Sequence, residues 1–187
     1  MFGRSVKAEP EERTKSLPGD ELIRMPLAAI THAITIRRPP AVVWPWLAQM
    51  GATRAGWYSY DVVDNGGRRS ADRIVPELQE VTPGTLFPAV PGATDAFILL
   101  QYRPEAFLVL GWVPALAAEP ITTWAIVLET RDTHRTRLIE RGRVRSPYRP
   151  YGLPEALARW VGPIAHAIMV RKHLHGLAQR AEGTVAA

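Results

Sequence analysis

LPEALARWVGPIAHAIMVRKHLHGLAQRA, residues Leu153 to Ala181, reads as one long amphipathic helix, and the architecture follows from what must cover it. Its apolar residues fall at Leu153, Leu157, Trp160, Val161, Ile164, Ala167, Ile168, Val170, Leu174, Leu177 and Ala181. That is the i, i+3, i+4, i+7 recurrence of a helix with a broad apolar face, on which Leu157, Ile164, Ile168 and Leu174 are expected to pack. Glu155, Arg159, His166, His173 and Arg180 read as the polar side, with Glu155 and Arg159 spaced as an i, i+4 pair. Pro163 cannot donate to the Arg159 carbonyl, and its ring crowds the preceding turn. Either the helix kinks there, or a first helix ends near Gly162 and Pro163 opens the next.

Upstream of this stretch the apolar period changes to two. Phe97 to Arg103, Phe107 to Trp112, Thr122 to Glu129 and Thr136 to Val144 read as strands. Tight turns at Pro104-Glu105 and at Arg131-Asp132-Thr133-His134 make them an antiparallel meander. Ala33 to Ile36 is a further strand, ended by Arg37-Arg38-Pro39-Pro40. A short helix follows to Met50, with Val43, Trp44, Leu47 and Met50 on one side and Gly51 as its stop. A dense aromatic run, Ala52 to Asp61, falls on a loop and a second short helix, closed by the turn Asp64-Asn65-Gly66-Gly67. Two short extended pieces flank Thr82-Pro83-Gly84 within Gln79 to Val90. Residues 1–17 are expected to form a mobile tail, 18–182 one domain and 183–187 a second tail.

The totals narrow the function classes. A chain of 187 residues, 47% hydrophobic and 22% charged, suits one domain with a real core. The cysteine count of 0 removes disulfides, thiolate metal sites and thiol nucleophiles. Met1 to Asp20 has no apolar core of a signal peptide, and no apolar run reaches membrane-spanning length. The expectation is a soluble, cytoplasmic protein without stable membrane insertion. The net charge is +5 and the isoelectric point near 10.0, almost entirely from arginine, since lysine occurs only at 7, 15 and 172. Such a balance suits nucleic acid or an anionic surface, but no nucleic-acid motif accompanies it. Arginine written for lysine by a GC-rich genome accounts for it more simply, and no nucleic-acid partner is expected.

The order strand, two short helices, antiparallel strands, long C-terminal helix is α+β. Several runs match a known group in detail. Ile34-Thr35-Ile36, Pro39-Pro40, Val43 to Gly51, Arg54 to Asp61, Ala71 to Gln79, Thr136 to Ile139 and Gln179 to Glu182 together resemble a bacterial branch of the START-like (SRPBCC) superfamily related to polyketide cyclase/dehydrase-like proteins. The resemblance spans about Pro18 to Glu182. It implies a helix-grip: a curved antiparallel sheet wrapped around the C-terminal helix, with an apolar cavity between them. Because that superfamily includes lipid carriers, hormone receptors, cyclases and ring-hydroxylase subunits, the fold does not name an activity. The iron–sulfur cluster of the hydroxylases is excluded by the absence of cysteine. The resemblance implies binding of a small hydrophobic or aromatic molecule, or a cyclase/dehydratase-like enzyme that moves protons with polar cavity residues.

Trp57, Tyr58 and Tyr60 are candidates for the cavity mouth, or else core rings that seal the short helices. Asp61 is a candidate base, or else a local cap or partner of Arg54 or Arg73. On the strand from Thr136 to Arg145, Arg137, Ile139, Arg141, Arg143 and Arg145 share one face. Leu138, Glu140, Gly142 and Val144 share the other, and the sequence leaves open which face lines the cavity. Glu140 is a candidate acid or base if the second face does, and Arg141 an anion or carbonyl receptor if the first does. The plainer reading is an arginine-lined solvent face, with Glu140 paired to an arginine on a neighbouring strand. Trp112, Trp124, Ile164 and Ile168 are candidate cavity wall. The catalytic candidates are therefore Glu140, Asp61, Tyr58 and Arg141, with no cofactor expected. His166 and His173 at i, i+7 lie too far apart to share a metal without outside ligands, so no metal site is expected. The histidines, His32, His134 and His175 included, are expected to be solvated.

Overall fold

The computed structural model describes residues 4–92, 96–113, 119–145 and 155–184, and of residues 155–166 the backbone alone. Six strands form one antiparallel sheet: β1 (Ala28–Ile36), β2 (Leu86–Pro88), β3 (Ala96–Arg103), β4 (Phe107–Trp112), β5 (Thr122–Asp132) and β6 (Arg135–Val144). Their order is β1-β6-β5-β4-β3-β2, so β2 to β6 run as a meander and β1 closes against the last strand. Of the two extended pieces expected between Gln79 and Val90, the second is β2. The α-helices are α1 (Pro10–Thr14), α2 (Pro40–Ala48), α3 (Asp61–Asp64) and α4 (Glu155–Ala181), and α2 and α3 are the two short helices expected after the first strand. Helix α4 is continuous for 27 residues, so Pro163 does not break it.

Alternation along the strands separates two faces. Ile34, Ile36, Leu99, Leu108, Leu110, Ile126, Leu128 and Leu138 join Val170, Leu174, Leu177 and Ala178 of α4 in the main core. Ala33, Val127 and Ile139, one residue out of phase, form a smaller cluster with Ala8 and Leu17 on the convex side. The α+β class is the one the sequence pattern implies, and the helix-grip arrangement the one the resemblance implies.

Residues 4–17 correct the expectation of a tail. They run across the convex face with Ala8, Glu12 and Leu17 buried. The reason is the arginine row of β6. Arg137 donates from Nε and Nη2 to Glu12 at 2.7 and 2.8 Å. Arg141 donates to Asp20 at 2.6 Å and to the carbonyls of Glu12 and Lys15. Arg143 reaches the Ile23 carbonyl and Asp20. The row expected to face solvent is thus covered, because buried guanidinium groups take both the carboxylates and the backbone oxygens of the crossing segment. Arg4 closes the same segment onto the end of α4, with two 2.5 Å bonds to Glu182.

Candidate functional site

The face opposite the arginines holds Leu138, Glu140, Gly142 and Val144, and it faces α4. Glu140 is 2% exposed and His173, on α4, is 4% exposed. Glu140 Oε1 lies 3.0 Å from His173 Nε2. Glu140 therefore pairs with the helix, not with an arginine of a neighbouring strand, because the residues opposite it are His32 on β1 and Ile126 on β5. His173 is likewise not solvated. It stands three residues after Val170 and four before Leu177, both buried, so it shares their arc of the helix.

The partners fix the protons. His173 Nδ1 is in hydrogen-bond contact with the Trp57 carbonyl oxygen. A carbonyl only accepts, so Nδ1 carries hydrogen and donates. A bare Nε2 lone pair 3.0 Å from a carboxylate oxygen would be repelled, so one proton lies between Nε2 and Glu140. Their approach is off the ideal line, and neither the Nε2 nor the Glu140 oxygens make a well-aligned hydrogen bond. Burial pushes the His173 imidazole down, but the Glu140 carboxylate outweighs it, helped by the Trp57 carbonyl and Asp64, and the net direction is up. The imidazole with its raised affinity for a proton thus faces a buried carboxylate across 3.0 Å.

Asp64, at the end of α3, is the acidic neighbour sequence reasoning missed, read only as part of a turn. It is buried; that burial pushes its carboxyl up, Asp61 adds to the shift, and His173 opposes it. The aspartate singled out, Asp61, has its oxygens occupied by the Ser70 amide at 3.1 Å and hydroxyl at 2.5 Å. It staples α3 to the following loop, and its partner is Ser70 instead of Arg54 or Arg73. Tyr58 is buried at φ 57°, its hydroxyl donates to the Trp46 carbonyl at 3.0 Å, and burial pushes that hydroxyl up. Its ring lies parallel to His173 with centroids 6.4 Å apart, and the Arg180 guanidinium covers its ring at 4.6 Å. Tyr58 is a platform for the imidazole. Arg141 points to the convex side and is removed from any site between sheet and helix.

Rings extend from His173 along the concave face. Trp124 meets it edge-on at 5.4 Å, and Trp57 lies 5.5 Å from Trp124. Phe97 stands edge-on to Trp57 at 6.0 Å and to Trp112 at 5.6 Å. The Trp57 indole donates to the carbonyls of Pro88 and Ala89, which fixes its plane. Burial along this face is uneven. Leu108, Leu110, Ile126 and Leu138 are fully buried, whereas Phe97, Trp112, Trp124 and Val144 are half-buried. Between Glu140 and Val144, a Cβ placed on Gly142 would meet no described atom within 4 Å. Gly142 pairs with Trp124 on β5, so this position adjoins both the rings and the Glu140–His173 pair.

The structure brings Trp57, Tyr58, Trp112 and Trp124 of the candidate wall together, with Glu140. Tyr60 stands at the surface, 41% exposed, with Lys172 Nζ 6.0 Å above its ring. Ile168 is 51% exposed on the outer side of α4, which corrects its expected place on the packing face. Ile164 and His166 lie outside the residues whose side chains are described. Among the described residues no group of three metal-ligating side chains converges, and no helix is long and apolar enough to cross a membrane. Two grooves of about 350 and 510 Å³ lie elsewhere, the first bounded by Lys7, Arg13, His32 and Arg171, the second by Arg37, Asp132, His134 and Arg135. Their charged walls suit an apolar guest less well than the rings do.

No protein-family model matches the chain, and no curated protein matches it. Solved structures do. A conserved protein of unknown function from Enterococcus faecalis aligns with TM-score 0.51 and 16% identity over 85% of this chain and 74% of its own. A protein from Mesorhizobium loti aligns with TM-score 0.50 and 15% identity over 85% of this chain and 100% of its own. An aromatase/cyclase from Streptomyces sp. R1128 aligns at TM-score 0.49 and 18% identity, over 86% of this chain and 96% of its own. At such identities the likeness is one of fold. With a curved six-stranded antiparallel sheet closed on a C-terminal helix, the chain has a helix-grip fold.

Proposed function

We propose that this protein binds a small, largely aromatic molecule between the sheet and α4, above Gly142. The observation that carries the reading is the position over Gly142, which no described atom occupies, beside half-buried Trp124 and Phe97. Leu108, Leu110, Ile126 and Leu138 on the same face are fully buried, so the rings left half-buried beside them offer apolar area to a guest. A two-ring aromatic that buries roughly 250 Å² would gain about 6 kcal/mol before immobilisation costs, which points to dissociation constants of tens of micromolar or weaker. Titration with naphthalene should quench tryptophan fluorescence. Gly142→Leu should abolish the quench while leaving the melting temperature near wild type, since a Cβ there meets no described atom within 4 Å. An unchanged titration in that variant would place the guest elsewhere and defeat the reading.

A second reading, a cyclase- or dehydratase-like enzyme, is favoured by the close approach of buried Glu140 and His173. A carbonyl compound over Gly142 would lose an α-proton to Glu140, with His173 holding the carboxylate in place as an imidazolium. Solvent deuterium would then enter the methyl group of acetonaphthone faster with the wild type than with Glu140→Gln. Equal rates in the two leave binding as the function.

A further inference from the structure

We infer that the guest bound over Gly142 carries a neutral hydrogen-bond donor, of the phenol class, and presents it to Glu140. This rests on the binding reading above and deepens it. Glu140 Oε1 faces His173, whereas no described donor reaches Oε2. A buried carboxylate oxygen left without a donor is costly, and a guest that supplies one relieves that cost on binding. The parity of β6 puts Glu140 and Gly142 on the same face two residues apart, about 6.6 Å along the strand. A ring resting against Trp124, which pairs with Gly142, can therefore place a hydroxyl at Glu140.

The surroundings select against other polar groups. His173 from α4, Asp64 from α3 and His32 from β1 are the titratable groups facing Glu140 or its imidazole partner. Of these only His173 offers a cation, and it is already engaged by Glu140 and the Trp57 carbonyl. The arginines that would welcome a carboxylate or phosphate, Arg137, Arg141 and Arg143, point to the convex side. An anionic guest would meet a carboxylate and no free cation among the described residues nearby, whereas an ether or plain hydrocarbon would leave Oε2 unsatisfied.

The test is a matched panel of naphthalene, methoxynaphthalene, naphthol and naphthoate, titrated at neutral pH against the wild type, Glu140→Gln and Glu140→Met. Naphthol should bind the wild type at least about tenfold more tightly than naphthalene or methoxynaphthalene, the worth of a hydrogen bond to a charged acceptor. Naphthoate should bind worst. In Glu140→Met the ratio of naphthol to naphthalene affinity should fall to about one. The isosteric Glu140→Gln should retain a fraction of the preference, and it serves should the methionine variant not fold. Equal affinity of naphthol and naphthalene for the wild type overturns the donor inference and leaves the binding reading intact. Tightest binding by naphthoate, or a naphthol preference that survives in Glu140→Met, overturns it as well. If no member of the panel binds, the binding reading falls and takes this inference with it.

Discussion

His173 joins three parts of the chain: its own helix, the Trp57 carbonyl and Glu140 of β6. The folded-state pKa of this imidazole is raised, so the native state holds its proton at pH values where the unfolded chain has released it. That contribution is fully present below the unfolded value of about 6.5 and is lost as pH rises through the folded value. Wild type should therefore lose stability relative to Glu140→Gln as pH rises above about 6.5, when thermal unfolding is followed across the range. A parallel pH dependence of the two proteins would contradict the pairing. Glu140 was half legible in the sequence. Strict alternation put it on the face opposite the arginines, but nothing in β6 alone says which face meets the helix. His173 was misread because a polar residue on an amphipathic helix defaults to the wet side. Its i+3 and i−4 distances from Val170 and Leu177 were the available signal. Asp64 had none, since its burial depends on how α3 packs.

Segment 4–17 and helix α4 cover opposite faces of one sheet, and they do so by different means. The N-terminal segment is held by polar contacts to β6 over more than a hundred residues of sequence. No local period encodes such contacts, which is why the segment read as a tail. Burial pushes the Glu12 carboxyl up, but the Arg137 hydrogen bonds, the Glu9 amide and Arg131 more than reverse this and hold it below the ordinary range. Glu12→Ala would strand the Arg137 guanidinium under the segment and should cost about 3 kcal/mol in denaturant unfolding. A loss under about 0.5 kcal/mol, typical of an exposed pair, would show that the segment is not clamped there. Helix α4 is held by fit. A Cβ at Gly176 would sit 2.0 Å from the Tyr58 carbonyl oxygen, a backbone atom fixed by the left-handed Tyr58 conformation. Alanine is the better helix former by about 1 kcal/mol, but the clash forces α4 off the sheet. Gly176→Ala should destabilise by about 2–4 kcal/mol, and a gain in stability would mean that the helix docks differently. The helix itself was the most legible element, through its apolar recurrence, although Pro163 gave no means of choosing between a break and a bend.

The fold was readable because two periods divide the chain: near two from Phe97 to Val144, then three to four from Leu153 onward, with turns short enough to force an antiparallel meander. The place of β1 beside β6 and the crossing of the sheet by the N-terminus were not, since pairing of distant segments leaves no mark on either one alone. The same long-range pairing bears on the net charge of +5. A nucleic-acid site needs guanidinium groups free to meet phosphates along one surface. Arg4 and Arg37 share Glu182 at the end of α4. Arg137, Arg141 and Arg143 are held by Glu12 and Asp20 beneath the N-terminal segment. Arg54 and Arg180 donate to backbone carbonyls and lie over the Phe87 and Tyr58 rings. Removing any of these from its partners for a phosphate would leave a carboxylate or carbonyl unsatisfied, and that cost offsets the gain from counterion release. The protein should accordingly bind duplex DNA and single-stranded RNA more weakly than about 10 µM at about 150 mM salt, in the range of non-specific contacts. Fluorescence anisotropy over a salt series measures both affinity and slope. Submicromolar binding at that salt, with a slope that reports six or so phosphate contacts, would mean that the arginines leave their partners and the interior pairing described here is not what holds them.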